Sequence, residues 1–266
     1  MRFLLRSALL LALTVLPLSQ TWAGDVLDRI AKTSTLRIGM TGSQPPFNVR
    51  NRDGDLIGME VDIANLLAGA MGVELKIVEI PFSDLLPALE KGDVDLVMSQ
   101  VTATLERNRR VAFVGPYYIS GKSLLTKSST LAAIQETKEI DQQGMRIATL
   151  KGSTGETFVK RRAPKAQLTT TKDYAEAVDL LLADKVDAFL ADGPIIRLTA
   201  MRYPNAELAM LRQPLTIEPI GIAVPPDDAL LLNLVQNYMG ALEGSGGLDA
   251  LLKKWFDNAG WLTQLP

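Results

Sequence analysis

The sequence of 266 residues contains no histidine and no cysteine. Their absence excludes a Ser/His/Asp triad, a Cys/His nucleophile pair, a zinc site and an iron–sulfur cluster. Any chemistry must therefore use carboxylates, lysine, arginine, tyrosine or hydroxyl groups, and we expect neither a cofactor nor a metal. Aromatic residues are few, at 6%, beside 47% hydrophobic and 22% charged residues, a composition typical of a globular protein.

The start of the chain has the pattern of an export signal. Arg2 and Arg6 precede an apolar run over residues 8–16, and the small residues Thr21 and Ala23 fit cleavage after Ala23. The run is too short for a spanning helix, although a retained anchor is an alternative. Without a cysteine no lipid anchor can form, so residues 1–23 predict a freely diffusing periplasmic protein. The 28 basic and 30 acidic residues give no indication of nucleic-acid binding.

Short β-branched runs alternate with helical patterns, which predicts an α/β protein. Residues 84–97 resemble residues 176–189, because each segment reads as an amphipathic helix, a sharp turn and a Val-Asp strand. A weaker similarity links residues 36–40 with 145–149. Two similar β-α-β-α-β lobes follow, although chance similarity between two such units is an alternative. The predicted strands are 36–40, 74–79, 94–98, 145–149, 167–170 and 186–191, and the predicted helices are 60–71, 83–90, one from 154, and 173–183.

The lobes are predicted to be discontinuous in sequence. Lobe 1 comprises residues 24–122 and 217–266, and lobe 2 comprises residues 123–216. The apolar strand at 217–224 is expected to cross back to lobe 1, and residues 123–126 to cross outward, so two segments would form a hinge.

Ligands of open α/β sheets bind beyond the carboxyl ends of the strands, where loops converge. The loop after the strand at 94–98 carries Arg107, whose guanidinium could hold a carboxylate. Its alternative role is a solvated helix face within the charged run 106–110.

Two features of lobe 2 occupy matching positions. Asp192 follows an apolar strand, where it could bind a ligand ammonium, cap the next helix or form an internal salt bridge. Residues 152–155, Gly-Ser-Thr-Gly, open a helix and form either an anion seat or a simple N-cap. In lobe 1, Glu60 and Asp62 begin a helix, where the helix dipole favours acidic residues.

In order and spacing, several segments resemble the bacterial extracellular solute-binding proteins of family 3, the polar amino-acid-binding proteins of ABC transporters. The resemblance covers nearly all of the chain after residue 23. The segments are Gln44–Phe47, Gly58–Ala64, Leu85–Leu89, Thr102–Arg107, Pro116–Tyr118 and Val186–Ala188.

The resemblance implies the two-lobed periplasmic-binding-protein fold of type II, with mostly parallel sheets flanked by helices and two hinge segments. It implies that Arg107, the backbone near Thr102 and the helix start at Ser153 and Thr154 bind the α-carboxylate of an amino acid. Asp192, the Gln100 carbonyl and the Thr102 hydroxyl would bind its ammonium. Phe82 would cover one ligand face, and Leu150 and Gly155 would border the ligand side chain.

Two positions depart from the family pattern. Gln44 stands where many members carry an aromatic residue, and Thr41 stands where members that bind basic amino acids often carry an acid. The resemblance therefore implies a monomeric receptor for a neutral or polar amino acid that delivers it to an inner-membrane ABC permease, and no catalysis. Two alternatives remain: a dehydratase acting on a cyclic hydroxy acid, with Asp192 or Glu156 as the acid, or a partner of a membrane sensor.

Overall fold

A computed structural model describes residues 24–134 and 137–266, so the predicted export signal at 1–23 lies outside the described residues. Within the described ranges, no helix combines the length and the apolar character needed to cross a membrane. The helices are α1 Asp25–Thr33, α2 Met59–Met71, α3 Leu85–Glu90, α4 Ser129–Ala132, α5 Thr154–Arg162, α6 Tyr174–Leu182, α7 Gly193–Arg202, α8 Ala229–Gly244 and α9 Gly247–Leu252. The strands are β1 Thr35–Met40, β2 Ser43–Gln44, β3 Asn48–Arg50, β4 Leu56–Ile57, β5 Glu74–Glu79, β6 Leu96–Val97, β7 Ala112–Ser120, β8 Lys122–Thr126, β9 Arg146–Leu150, β10 Gln167–Thr171, β11 Ala188–Asp192, β12 Ala209–Met210 and β13 Glu218–Val224.

Two five-stranded sheets with the same plan form the body of the protein. The first has the order β5-β1-β6-β13-β7, and the second has the order β10-β9-β11-β8-β12. In each sheet the first three strands are parallel to one another. The fourth strand pairs antiparallel with the third, and the fifth pairs antiparallel with the fourth. The predicted βαβαβ order is therefore confirmed in both halves, but the sheets are more mixed than the prediction of mostly parallel strands.

The chain passes between the two sheets twice. It leaves the first sheet at Gly121, between β7 and β8, and it returns through residues 211–217, which we call the return crossing. The crossings contact each other, because the Leu215 amide donates to the Lys122 carbonyl at 2.7 Å. A Cβ atom on Gly121 would lie 2.4 Å from the Thr216 carbonyl oxygen, so only glycine fits there. Residues 123–126 do not cross; they pair within the second sheet together with Lys122, which the prediction gave to lobe 1.

An equivalent arginine–aspartate pair links the starts of two neighbouring strands in each sheet. The Arg37 amide and guanidinium both donate to Asp95, and the Arg146 amide and guanidinium donate in the same way to Asp187. In return, each aspartate amide donates to the carbonyl of its arginine, at 2.8 and 2.9 Å. These aspartates are the two Val-Asp positions of the internal similarity. The similarity therefore reflects the same arginine–aspartate pair in both sheets.

The two pairs should differ in their energetic weight. The Asp95 side chain is fully buried and also binds Arg29, whereas the Asp187 side chain is 31% exposed. We expect Asp95→Ala to lower the free energy of unfolding by about 3 kcal/mol, because two partly buried arginines and the Arg37 amide lose a fully buried acceptor. Asp187→Ala should cost clearly less, because water can replace the carboxylate. Equal losses in urea unfolding would contradict this account.

Candidate ligand-binding cleft

The carboxyl ends of the parallel strands from both sheets face a common cleft, and Arg107 spans it. Its guanidinium donates to the Thr102 carbonyl at 2.9 Å and, across the cleft, to the Gly152 carbonyl at 3.1 Å. It also lies over the Phe82 ring, 5.7 Å from the ring centroid. Arg110 instead pairs with Glu90 on the surface. Arg107 is therefore separated from the other arginines of its charged run.

Glu218, at the start of β13, is the acid on which the cleft converges. Its carboxylate accepts hydrogen bonds from the hydroxyls of Thr102 at 2.8 Å, Thr154 at 2.9 Å and Thr216 at 2.7 Å. Burial alone would raise the pKa of Glu218, but the nearby Lys122 ammonium and the three hydroxyls bring that pKa below its ordinary value. Glu218 is thus held as a buried anion that ties loops of both sheets to the return crossing.

Asp192 forms the internal salt bridge that was one of its three predicted roles. The Lys122 ammonium lies 2.6 Å from Asp192 Oδ2, and both side chains are only 3% exposed. Asp192 precedes α7 but makes no capping hydrogen bond with its side chain. Its second oxygen, Oδ1, is buried and has no hydrogen-bond partner. One carboxylate oxygen therefore remains able to accept a donor from a ligand.

A buried network fixes the backbone of Gln100. Gln100 has a φ of 52°, a left-handed conformation that is strained for a residue with a side chain. Its amide donates to Glu60 at 2.6 Å, and Glu60 also accepts from Asn48 and from the Tyr117 hydroxyl. The sequence prediction explained Glu60 by the helix dipole. Because Glu60 is fully buried, that dipole alone does not explain an acid at this position. Its main role is to hold the loop that carries Gln100 and Thr102.

The Gly-Ser-Thr-Gly start of α5 is capped like a capping box, except that the glutamate accepts from the amide one residue before the N-cap. The Ser153 hydroxyl accepts from the Glu156 amide, and the Glu156 carboxylate accepts from the Gly152 amide at 2.7 Å. The N-cap alternative for this segment is therefore realised. Thr154 instead turns its hydroxyl toward Glu218, so the two residues predicted to act together have separate partners.

Buried polar atoms without partners concentrate on the predicted site residues. Of nine such side-chain atoms among the described residues, five belong to Gln44, Gln100 and Asp192. Buried polar groups in native proteins are nearly always hydrogen-bonded, so such orphans indicate a place where a ligand or water is expected. Leu150 differs from them, because it lies buried in the apolar core against which Phe82 packs.

Two grooves open between the two halves of the protein. One has a volume of about 750 Å³, and its walls include Arg107, Thr154 and Glu218. The other, of about 280 Å³, lies between the loop around Gln44 and helices α6 and α7, and Tyr174 lines it. The pKa of Tyr174 lies well above its usual value because of burial, and the Asp192 and Glu218 charges raise it further.

Sequence reasoning missed Lys122, Tyr174 and Glu218. A signal was available for two of them. Lys122 opens the apolar strand Lys-Ser-Leu-Leu-Thr, and Glu218 lies in the apolar run 217–224. The argument that singled out Asp192, a charge in an apolar strand that needs a partner, applies equally to both.

Two α/β sheets joined by two crossings, with polar loops of both facing one cleft, define a two-lobed binding protein. Comparison with known proteins gives the family: the sequence profile of the bacterial extracellular solute-binding proteins, family 3, matches residues 36–258, and the chain belongs to that family.

Its relatives bear several functional names. A cyclohexadienyl dehydratase of Pseudomonas aeruginosa is 29% identical over 231 residues, covering 87% of this chain and 86% of that protein. An L-arginine-binding protein of the same species is 31% identical, covering 92% and 93%. A binding component of an ABC transporter from Wolinella succinogenes, solved with lysine, superposes with a TM-score of 0.81 at 33% identity, covering 86% of this chain and 99% of that chain.

The charged state of Glu218 predicts an acid-dependent loss of stability. A carboxyl group whose pKa is lower in the folded than in the unfolded state stabilises the fold above the unfolded pKa, and this contribution is lost as pH falls through the folded pKa. Wild type should therefore exceed Glu218→Gln in melting temperature at pH values of about 6, and the difference should shrink toward about pH 3. A difference that stays constant over this range would show that the charge of Glu218 does not contribute.

Proposed function

We propose that this chain is the extracytoplasmic receptor of an ABC importer, and that it captures a small amino acid as its lobes close. The observation that carries the proposal is the arrangement of Arg107 and of the unpartnered Asp192 Oδ1 across one cleft. Arg107 would bind the α-carboxylate and Asp192 Oδ1 the α-ammonium. The unpartnered amides of Gln44 and Gln100 would supply further hydrogen bonds to the ligand.

Closure would contribute to affinity through contacts that already bridge the lobes. Arg107 reaches the Gly152 carbonyl, and Thr154 reaches Glu218. Burying a zwitterion among such groups removes water, which strengthens each charge-assisted hydrogen bond. Affinity in the micromolar range corresponds to about 8 kcal/mol, which a few such bonds and water exclusion can supply.

The family supports the remaining parts of the proposal. Several relatives are named as amino-acid-binding components of ABC transporters, which favours a permease as the partner and an extracytoplasmic location. The boundaries of the lobes given above and a monomeric state are part of the same proposal. The favoured ligand is a neutral or polar amino acid.

A dehydratase is the second candidate, and the Pseudomonas relative favours it. Such a reaction needs a proton donor with a raised pKa. Glu156, one candidate acid, accepts from Lys160 and from the Gly152 amide, and these contacts outweigh burial so that its pKa is lowered. Asp192, the other candidate, forms an ion pair with Lys122. The lowered pKa of Glu156 favours a receptor over an enzyme.

Arg107→Ala should reduce amino-acid affinity by about 100-fold or more, because the ligand carboxylate loses a charge-assisted partner in a buried site. The ligand is first identified by a thermal-shift screen of the twenty amino acids, since a ligand of the native state raises the melting temperature. Affinities are then measured by calorimetry. Arg109→Ala, an exposed change two residues away, is the matched control and should bind as wild type. Near-unchanged affinity of Arg107→Ala would refute the assigned role.

Incubation with a cyclic hydroxy acid such as prephenate distinguishes the receptor from the dehydratase. A receptor returns its ligand unchanged, so no product should accumulate over hours at micromolar protein. Product formation by wild type that is lost in Asp192→Asn or in Glu156→Gln would establish the enzyme instead.

A further inference from the structure

A second buried cation, Lys122, is paired with Asp192, an acid whose charge also acts on Arg107. We propose that Lys122 is a specificity-determining residue that makes the receptor reject amino acids with cationic side chains and accept those with neutral or acidic ones. This inference rests on the proposed amino-acid-binding function and specifies its ligand class.

The position of Lys122 is set by the backbone. Lys122 pairs with Asp192 in the antiparallel register of β8 and β11, and its ammonium lies 2.6 Å from Asp192 Oδ2. Both side chains are almost completely buried, so solvent screens the ammonium only weakly. A buried cation with this partner cannot move away without leaving Asp192 unpaired.

The acids facing the cleft are already occupied. Asp192 has one oxygen on Lys122 and one oxygen free, which the α-ammonium of an amino acid would take. Glu218 accepts from three threonine hydroxyls and also lies within the field of Lys122. Glu106 pairs with Arg161, and Asp173, which lines the smaller groove, accepts from the Glu176 amide. Among the described residues, a cationic ligand side chain would therefore add a positive charge near Asp192 and Glu218 while each acid of the cleft already has a partner.

A neutral or acidic side chain avoids this conflict. Like charges in a medium of low effective dielectric repel by several kcal/mol at short distance, which is enough for strong discrimination. A carboxylate or amide side chain could instead accept from the donors that the cleft already presents.

The test uses ligand pairs of matched size and different charge, L-citrulline with L-arginine and L-norleucine with L-lysine. The pair whose neutral member binds more tightly is measured by calorimetry on the full mature chain. Wild type should prefer the neutral member by at least about 10-fold, and Lys122→Gln should reduce the preference to less than about 3-fold. Lys122→Arg, which keeps the charge, should retain the preference.

Lys127→Gln is the matched control. Lys127 follows the far end of the same strand and pairs with an exposed aspartate, Asp184, so the chemical change is the same outside the cleft. It should leave the preference unchanged. If Lys122→Gln does not fold, as thermal unfolding will show, the wild-type ratio and Lys122→Arg still carry the test.

The outcomes separate the inference from the proposed function. Equal affinity of wild type for the neutral and cationic members, or an unchanged preference in a folded Lys122→Gln, would overturn the role of Lys122 while amino-acid binding stands. Absence of binding by every amino acid in the screen would overturn the proposed function, and the inference with it.

Discussion

The two lobes are tied together by the hydrogen bonds of one buried carboxylate. Glu218 accepts from Thr102 in a loop of the first sheet, from Thr154 at the start of α5 in the second sheet, and from Thr216 in the return crossing. An ionised carboxylate can be buried only if such donors satisfy it. Separating the lobes would remove the Thr154 donor, and water would have to replace it. The position of Glu218 at the crossing therefore couples hinge geometry to the cleft.

Charge balance in the cleft follows from the same constraint. Arg107 and Lys122 carry two positive charges, and Asp192 and Glu218 carry two negative charges. The positive and negative groups are arranged so that Lys122 faces Asp192 and also lowers the pKa of Glu218. A zwitterion enters such a site without changing its net charge, whereas a ligand with an additional positive charge must find its own partner among acids that already have one. The balance thus links the burial of the site to the class of ligand that it accepts.

The sequence predicted most of the fold, and its ligand-binding residues stay a prediction. The repeated Val-Asp strands indicated the two-lobe plan, because the same arginine–aspartate pair, Arg37 with Asp95 and Arg146 with Asp187, joins neighbouring strands in each sheet. Strand direction in the last two positions of each sheet was not predictable, since apolar runs do not encode it. The contacts of Lys122 and Glu218 were missed because Asp192 lies 70 residues from Lys122 and Thr102 lies 116 residues from Glu218. Only the strand registers bring them together.

Whether a scaffold of this kind binds or catalyses depends on how many partners each cleft carboxyl has. A proton donor needs a carboxyl that burial keeps neutral, while a receptor needs carboxylates that stay charged. Here the three hydroxyls and the Lys122 ammonium around Glu218 favour its charged form, and so do the amide and lysine that contact Glu156. Glu60 does have a pKa raised by burial, but its carboxylate accepts from three protein donors beneath the loop of Gln100. The proposed receptor uses Glu218 and Glu156 as charged groups, whereas a dehydratase on the same fold would need a cleft carboxyl that loses a partner and stays neutral.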